Sequence, residues 1–244
     1  DLAFSYRDYR GEVAQLVAWF KTITRIDAPT SVLELACGPG RYLHEFARGG
    51  VHSAGIDISE SMCSYASALA ADLPMDVYQA DITGFELGKQ FDLILLMLNS
   101  VSHILDEGSL SNHFSSVADH LAATGIYVVE ASRVGSDGGE GESSWQQSGP
   151  AGSVSVTWRS EAGREIGRIN GSVYGETVDI HGEFPMRQWR TQELTKAARQ
   201  AGLKLAAYYG DFSLDRVEEL RQCRELNGSC GLHPCFVFTK DSAG

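Results

Sequence analysis

Apolar and polar positions follow two rhythms along this chain, and one gives way to the other near Arg133. Val13, Leu16, Val17, Phe20 and Ile23 recur at helical spacing and predict an amphipathic opening helix. Pro29 ends that unit, because its ring and its missing N–H stop a helix. Strands and helices then alternate. Ser31–Ala36 predicts a strand, a Gly-Pro-Gly turn follows, and Arg41–Arg48 predicts a helix with Leu43, Phe46 and Ala47 inward and Gly49 at its end. His52–Asp57, Asp76–Ala80 and Gly125–Ala131 predict further strands, with a helix at Ser61–Ala71. Phe91–Leu98 is nearly all apolar, as a strand covered on both faces must be. Asp106 caps a helix that puts Leu110, Phe114, Val117 and Leu121 on one side.

Beyond Arg133 the rhythm changes. Gly135–Ser153 is rich in Gly, Ser and Glu and predicts a mobile loop. Val154, Val156 and Trp158 then alternate with Ser155 and Thr157, and Val178, Ile180 and Phe184 with Thr177, Asp179, His181 and Glu183. Period two with one wet face predicts antiparallel strands. Thr191 caps a helix with Leu194, Ala197, Ala198 and Ala201 inward, and Leu203–Tyr209 and Pro234–Thr239 predict the last two core strands. Alternating strands and helices imply crossover connections. The expected fold is therefore α/β, a doubly wound, mostly parallel seven-stranded sheet built from 30–142 and 189–244. A small antiparallel β insertion at 143–188 interrupts it.

Composition narrows the function. An apolar fraction of 43% in 244 residues supports a substantial core, and 21% charged residues argues against global disorder. A formal charge of −12 disfavours nucleic-acid and anionic-membrane partners, which need clustered positive charge. No apolar run reaches the roughly 18 residues of a membrane span. Asp1–Arg10 is too polar for a signal peptide. Five cysteines without paired spacing predict reduced thiols in a cytoplasmic protein. Cys223, Cys230, His233 and Cys235 lie close together, but they lack C-x2-C spacing and Pro234 stands between two of them. No metal is expected.

The sharpest chemical signal is Val-Leu-Glu34-Leu-Ala36-Cys-Gly38-Pro-Gly40-Arg-Tyr42, glycines between a strand and a helix. A dinucleotide fingerprint carries a third Gly where this chain has Leu43. Glu34 would repel a pyrophosphate, yet it suits a ligand bearing an ammonium or sulfonium. Both features point away from NAD and toward a cationic cofactor. Asp57, in Gly55-Ile-Asp57-Ile58-Ser, ends the second strand and can accept from both hydroxyls of a ribose. Asp81, in Gln79-Ala-Asp81-Ile82, ends the third strand and can accept from an adenine amine, with Ile58, Met62 and Ile82 sandwiching the ring. Leu98-Asn99-Ser100 ends the fourth.

Through VLELACGPGRY, GIDIS and QADI, residues 30–133 resemble the class I S-adenosylmethionine-dependent methyltransferases. FSYRDYRGEVAQL, NSVSHI and the late strand insertion resemble, more loosely, the small-molecule N-methyltransferases acting on amino sugars. The resemblance implies S-adenosylmethionine as cofactor and S-adenosylhomocysteine as product. It implies a cofactor site of Tyr6, Glu34, Ala36, Gly38, Gly40, Tyr42, Asp57, Ile58, Met62, Asp81, Ile82 and Leu98, the last through its carbonyl. It implies a helical lid at 1–29 carrying Tyr6 and Tyr9, and an insertion that covers the substrate with Trp145, Trp158, Arg159, Tyr174 and His181. Asn99 would orient the substrate, and His103, next to where methyl group and acceptor meet, would be the catalytic base. An amine acceptor stands ahead of a hydroxyl; the alternatives are O-methylation and a same-fold enzyme that binds the cofactor without methyl transfer. A homodimer paired through exposed strands of the insertion is a further expectation.

Overall fold

The computed structural model describes residues 2–70, 72–131, 141–161, 163–210 and 234–241, with the backbone of 217–218. The elements run in chain order as α1 (Tyr9–Thr24), β1 (Ser31–Leu35), α2 (Arg41–Arg48), β2 (His52–Asp57), α3 (Glu60–Ala70), β3 (Met75–Gln79) and β4 (Phe91–Leu96). There follow α4 (Glu107–His120), β5 (Leu121–Glu130), β6 (Gly141–Gly149), β7 (Gly152–Glu161), β8 (Arg164–Val173) and β9 (Glu176–Pro185). The chain closes with α5 (Thr191–Gln200), β10 (Leu203–Tyr209), the two-residue β11 (Val217–Glu218) and β12 (Cys235–Lys240). Short 3-10 turns occupy Leu2–Phe4 and Ser100–His103. Two compact units result: Tyr9–Arg133 with Trp189–Gly244, and Asp1–Asp8 with Val134–Gln188.

The larger unit is one sheet in the order β11-β10-β12-β5-β4-β1-β2-β3. β1 to β5 run parallel to one another, and β12 runs antiparallel between β5 and β10. Alternate residues of the central strands face two separate apolar layers. Leu33, Leu35, Ile94, Leu96, Tyr127 and Val129 pack with Leu110, Phe114 and Val117 of α4 and Leu194 and Ala198 of α5. Val32, Leu93, Leu95, Ile126 and Val128 pack with Leu16, Trp19 and Phe20 of α1 and Phe46 of α2. This two-sided burial is why β4 carries so few polar residues. Each such aliphatic side chain contributes roughly 1.5–3 kcal/mol. The order of strands reverses between β1 and β4, and the carboxyl ends of the strands at such a switch point are where doubly wound sheets form their ligand crevice.

The smaller unit is the antiparallel sheet β6-β7-β8-β9. Ala3, beside Leu2 and Phe4, covers Val154 and Val156, with Trp145 and Ile169 against that cluster.

Three expectations are corrected. Gly141–Gly149, taken as part of a loop, is a strand, so the second sheet begins there. Its Ser- and Gln-rich stretch lacks alternation because the ladder to β7 holds it rather than burial of its own side chains. Residues 135–140 of that loop, together with Cys223, Cys230 and His233, lie outside the described residues. Leu121 starts β5 instead of ending α4, although it is buried. Ile180 and Phe184 lie on an antiparallel strand as expected yet stay exposed, since the Leu2–Phe4 turn packs over β6 and β7 rather than β9. The expected seven-stranded sheet is present, with the two-residue β11 paired along β10 at its edge. Among the described residues, no helix is long and apolar enough to cross a membrane.

Candidate functional site

At the end of β1 the backbone turns through Ala36, Gly38 and Gly40 in left-handed conformations, with φ of 52°, 51° and 70°. The two glycines serve different ends. A Cβ on Gly38 would meet nothing within 4 Å, so this residue borders open space that a ligand can approach. A Cβ on Gly40 would meet Met75 Cε at 2.9 Å and Ala66 Cβ at 3.3 Å, so its missing side chain lets α2 start close against α3 and β3. Leu43 occupies the position of a third glycine, and Gly55 on β2 supplies the room instead. A Cβ there would come within 2.4 Å of Leu43 Cδ1.

Asp57 fastens this loop. Its Oδ2 accepts the Gly38 N–H at 2.8 Å and its Oδ1 the Ser59 N–H at 2.9 Å, with the residue only 9% exposed. A carboxylate has about four lone-pair sites, so two remain for other donors. Glu34 lies beneath, 4% exposed, and accepts the Leu43 amide; its Oε2 has no partner. Burial holds its carboxyl well above the usual range, and nearby Asp57 adds to that. A buried carboxyl with an idle oxygen is poised to ionise against a cation. Burial, with Glu34 and Asp57 nearby, also pushes the Cys37 thiol up, which keeps it un-ionised.

The next two strand ends add apolar and polar edges. Ile58 is 68% exposed and Met62 is also exposed, so both apolar side chains are open to a ligand's apolar face. Asp81 Oδ1 accepts from the Thr83 N–H and hydroxyl, each at 2.8 Å, which closes a tight turn around half-buried Ile82.

Beyond β4, Leu98 and Asn99 are again left-handed, with φ of 56° and 59°. Ser100 Oγ donates to the Met97 carbonyl at 2.8 Å and Ser102 Oγ to the Asn99 carbonyl at 2.6 Å. The following 3-10 turn presents His103 exposed, and the Trp189 indole N–H donates to the Ile104 carbonyl behind it. Non-glycine residues in this conformation cost of order 1 kcal/mol each. Ala36, Leu98 and Asn99 fall at the ends of β1 and β4, either side of the switch point.

Glu34, Ala36, Gly38, Asp57, Ile58, Asp81, Ile82, Leu98, Asn99 and His103 thus sit on strand ends or the turns after them, with Met62 in the first turn of α3. Tyr42 is buried in the core, its hydroxyl donating to Glu12 of α1 and its ring edge-on to Tyr9. The other candidates lie in the smaller unit. Tyr6 and Trp145 meet edge-on, and the Trp145 indole donates to the Ala3 carbonyl. Trp158 donates to Glu165, and exposed Arg159 pairs with Glu161. Tyr174 and His181 are exposed. Cys37, Cys63 and Cys235 are free thiols, and the described residues contain no group of three His, Cys, Asp or Glu that could hold a metal.

One residue escaped the sequence reading. Glu130, 2% exposed at the end of β5, accepts the Leu98 N–H at 2.9 Å and so pins the left-handed turn after β4. An acid at the last position of a fifth strand was its only signal, and it matched that of Asp57 on the second.

Residues 32–125 match the family described as Methyltransferase domain. The dTDP-3-amino-3,4,6-trideoxy-alpha-D-glucopyranose N,N-dimethyltransferase of Streptomyces venezuelae is 30% identical over 124 residues, 51% of each chain. The chain spans about half the length of the curated relatives it matches. The crystal structure of Streptomyces venezuelae DesVI superposes with a TM-score of 0.77 at 22% identity, covering 96% of this chain and 92% of that one. The S-adenosylmethionine-bound amino pentose methyltransferase CalS10 of Micromonospora echinaspora gives 0.73 at 19% identity, covering 96% and 92%. Residues 32–125 are thus similar to the Methyltransferase domain family, and the chain shares the fold of these two structures.

Proposed function

We propose that this chain is a methyltransferase that moves the methyl group of S-adenosylmethionine to an amine nitrogen of a small molecule, an amino sugar of the kind its relatives are named for. The observation that carries the reading is Gly38 bordering open space and anchored by Asp57, with the buried carboxyl of Glu34 on the strand that leads into this loop. When bound, S-adenosylmethionine supplies an activated methyl group open to in-line attack by a neutral nucleophile. Asp57 would hold the ribose with the acceptor sites its loop contacts leave over. Asp81 and Ile82, with Ile58 and Met62, would hold the adenine, and Glu34 would balance positive charge. The Leu98 carbonyl would meet the ammonium, and the Glu130 bond fixes the turn that presents it. Such alignment supplies about 7–11 kcal/mol in well-oriented systems.

His103, exposed beyond β4, would take the proton that the acceptor amine must shed, and Asn99 would orient that acceptor. The test is mass spectrometry of a dTDP-linked amino sugar incubated with S-adenosylmethionine and the protein. Methyl groups gained on nitrogen are expected; gain on oxygen alone would replace the acceptor, and no gain would remove the activity. His103→Gln should lower turnover by about a hundredfold or more with little change in S-adenosylhomocysteine affinity. Wild-type turnover at every pH would remove His103 from the reaction.

A further inference from the structure

Behind the third strand end runs a buried hydrogen-bond chain that the transfer chemistry does not use. His113 of α4 is wholly buried. Its Nδ1 lies 2.7 Å from the Ile82 carbonyl oxygen, and its Nε2 lies 2.6 Å from the Tyr127 hydroxyl on β5. A carbonyl oxygen only accepts, so Nδ1 carries the hydrogen. Burial pushes the imidazole pKa down to about 4, against weaker upward pulls from the Ile82 bond and Asp81. Near pH 7 the ring is therefore neutral, Nε2 is bare, and the Tyr127 O–H donates to it. Burial also keeps that phenol protonated. Donation runs one way, from Tyr127 through His113 to Ile82, and no other tautomer satisfies both partners.

The receiving carbonyl belongs to the turn that Asp81 closes through Thr83. Asp81 and Thr83 act on that turn from its own segment. His113 acts from the core, on the residue at its centre.

We propose that His113 is a positioning residue for the adenine-binding end of the crevice: by holding the Ile82 carbonyl it sets the Asp81–Ile82 turn that receives the base. The inference rests on the cofactor reading above. His113 acts through Ile82, and Tyr127 serves to fix its tautomer.

Two near-isosteric substitutions separate the halves of the chain. An Asn amide places an N–H where Nδ1–H stands, whereas a Gln amide reaches the Nε2 position. Thermal unfolding and calorimetry with S-adenosylhomocysteine are measured on wild type, His113→Asn, His113→Gln and Tyr127→Phe. All three variants should melt lower. His113→Gln, which loses the Ile82 bond, should bind S-adenosylhomocysteine about five- to tenfold more weakly. His113→Asn and Tyr127→Phe should stay within about twofold of wild type, because the net value of a hydrogen bond they do not break is retained. Equal weakening in His113→Asn and His113→Gln, or wild-type affinity in His113→Gln, overturns the inference while leaving the cofactor reading intact. A wild-type protein that binds no S-adenosylhomocysteine overturns both. If His113→Gln does not fold, NMR of wild type decides: the protected Nδ1–H resonance should shift when S-adenosylhomocysteine is added, and an unmoved resonance overturns the inference.

Discussion

Asp57→Asn is the substitution that probes the crevice most sharply. The carboxylate now accepts two backbone N–H groups, Gly38 at 2.8 Å and Ser59 at 2.9 Å. An amide of the same shape has one acceptor and one donor. Whichever way it is turned, one of those N–H groups faces another donor. Hydrogen bonds to charged groups contribute about 1.5–3 kcal/mol, and at 9% exposure little water is present to replace the lost one. The expected loss of stability is therefore about 2 kcal/mol, or a fall of about 4–8 °C in melting temperature for a chain of this size. The same substitution neutralises the group proposed to meet the ribose. Equilibrium dialysis should show S-adenosylhomocysteine bound about ten- to a hundredfold more weakly, since about 1.4 kcal/mol is a factor of ten. A lowered melting temperature with unaltered affinity would refute the ribose role and leave Asp57 as a loop anchor alone. An unaltered melting temperature would refute the anchoring as well.

Other outcomes follow from the buried titratable groups. Glu34 keeps its proton in the folded state after the unfolded chain has lost it near 4.5, so its contribution to stability declines as pH rises above that value. Glu34→Gln should thus make the ligand-free protein relatively more stable as pH rises toward neutrality while weakening S-adenosylhomocysteine binding; urea unfolding and calorimetry check the two halves, and a less stable, equally tight-binding variant would count against it. His113 behaves oppositely. Its folded pKa of about 4 lies below the ordinary 6.5, so its contribution is fully present above 6.5 and is lost as pH falls toward 4. The span of about 2.5 units corresponds to about 3 kcal/mol. Urea unfolding of wild type and His113→Asn at several pH values should show this difference in slope, and parallel profiles would contradict it.

Much of the core was legible because one physical cause dominated each element. Two-sided burial left Phe91–Leu96 almost without polar residues, and one-sided burial wrote the 3.6-residue stripe of Leu110, Phe114 and Val117. Asp106 fulfils its capping role, accepting the Ser109 N–H at 2.9 Å. The strand-end placement of Gly38, Asp57 and Asp81 was legible because local spacing reveals where glycines and acids fall relative to the strands. What stayed hidden depends on partners distant in sequence. The β6 strand exists through its ladder to β7 and leaves no apolar alternation. Gly55 compensates for Leu43 only because β2 passes beneath α2. Glu130 and His113 became meaningful only once their contacts, 32 and 31 residues away along the chain, were in view.

The central claim is that these strand ends were shaped for an adenosyl ligand bearing an amino-acid ammonium and not for a dinucleotide. Side-by-side calorimetry of the wild-type protein with S-adenosylhomocysteine and with NAD tests it most directly. Saturable binding of S-adenosylhomocysteine at one site per chain, with no heat from NAD, is the expected result. Binding of NAD in its place, or of neither, would contradict the account.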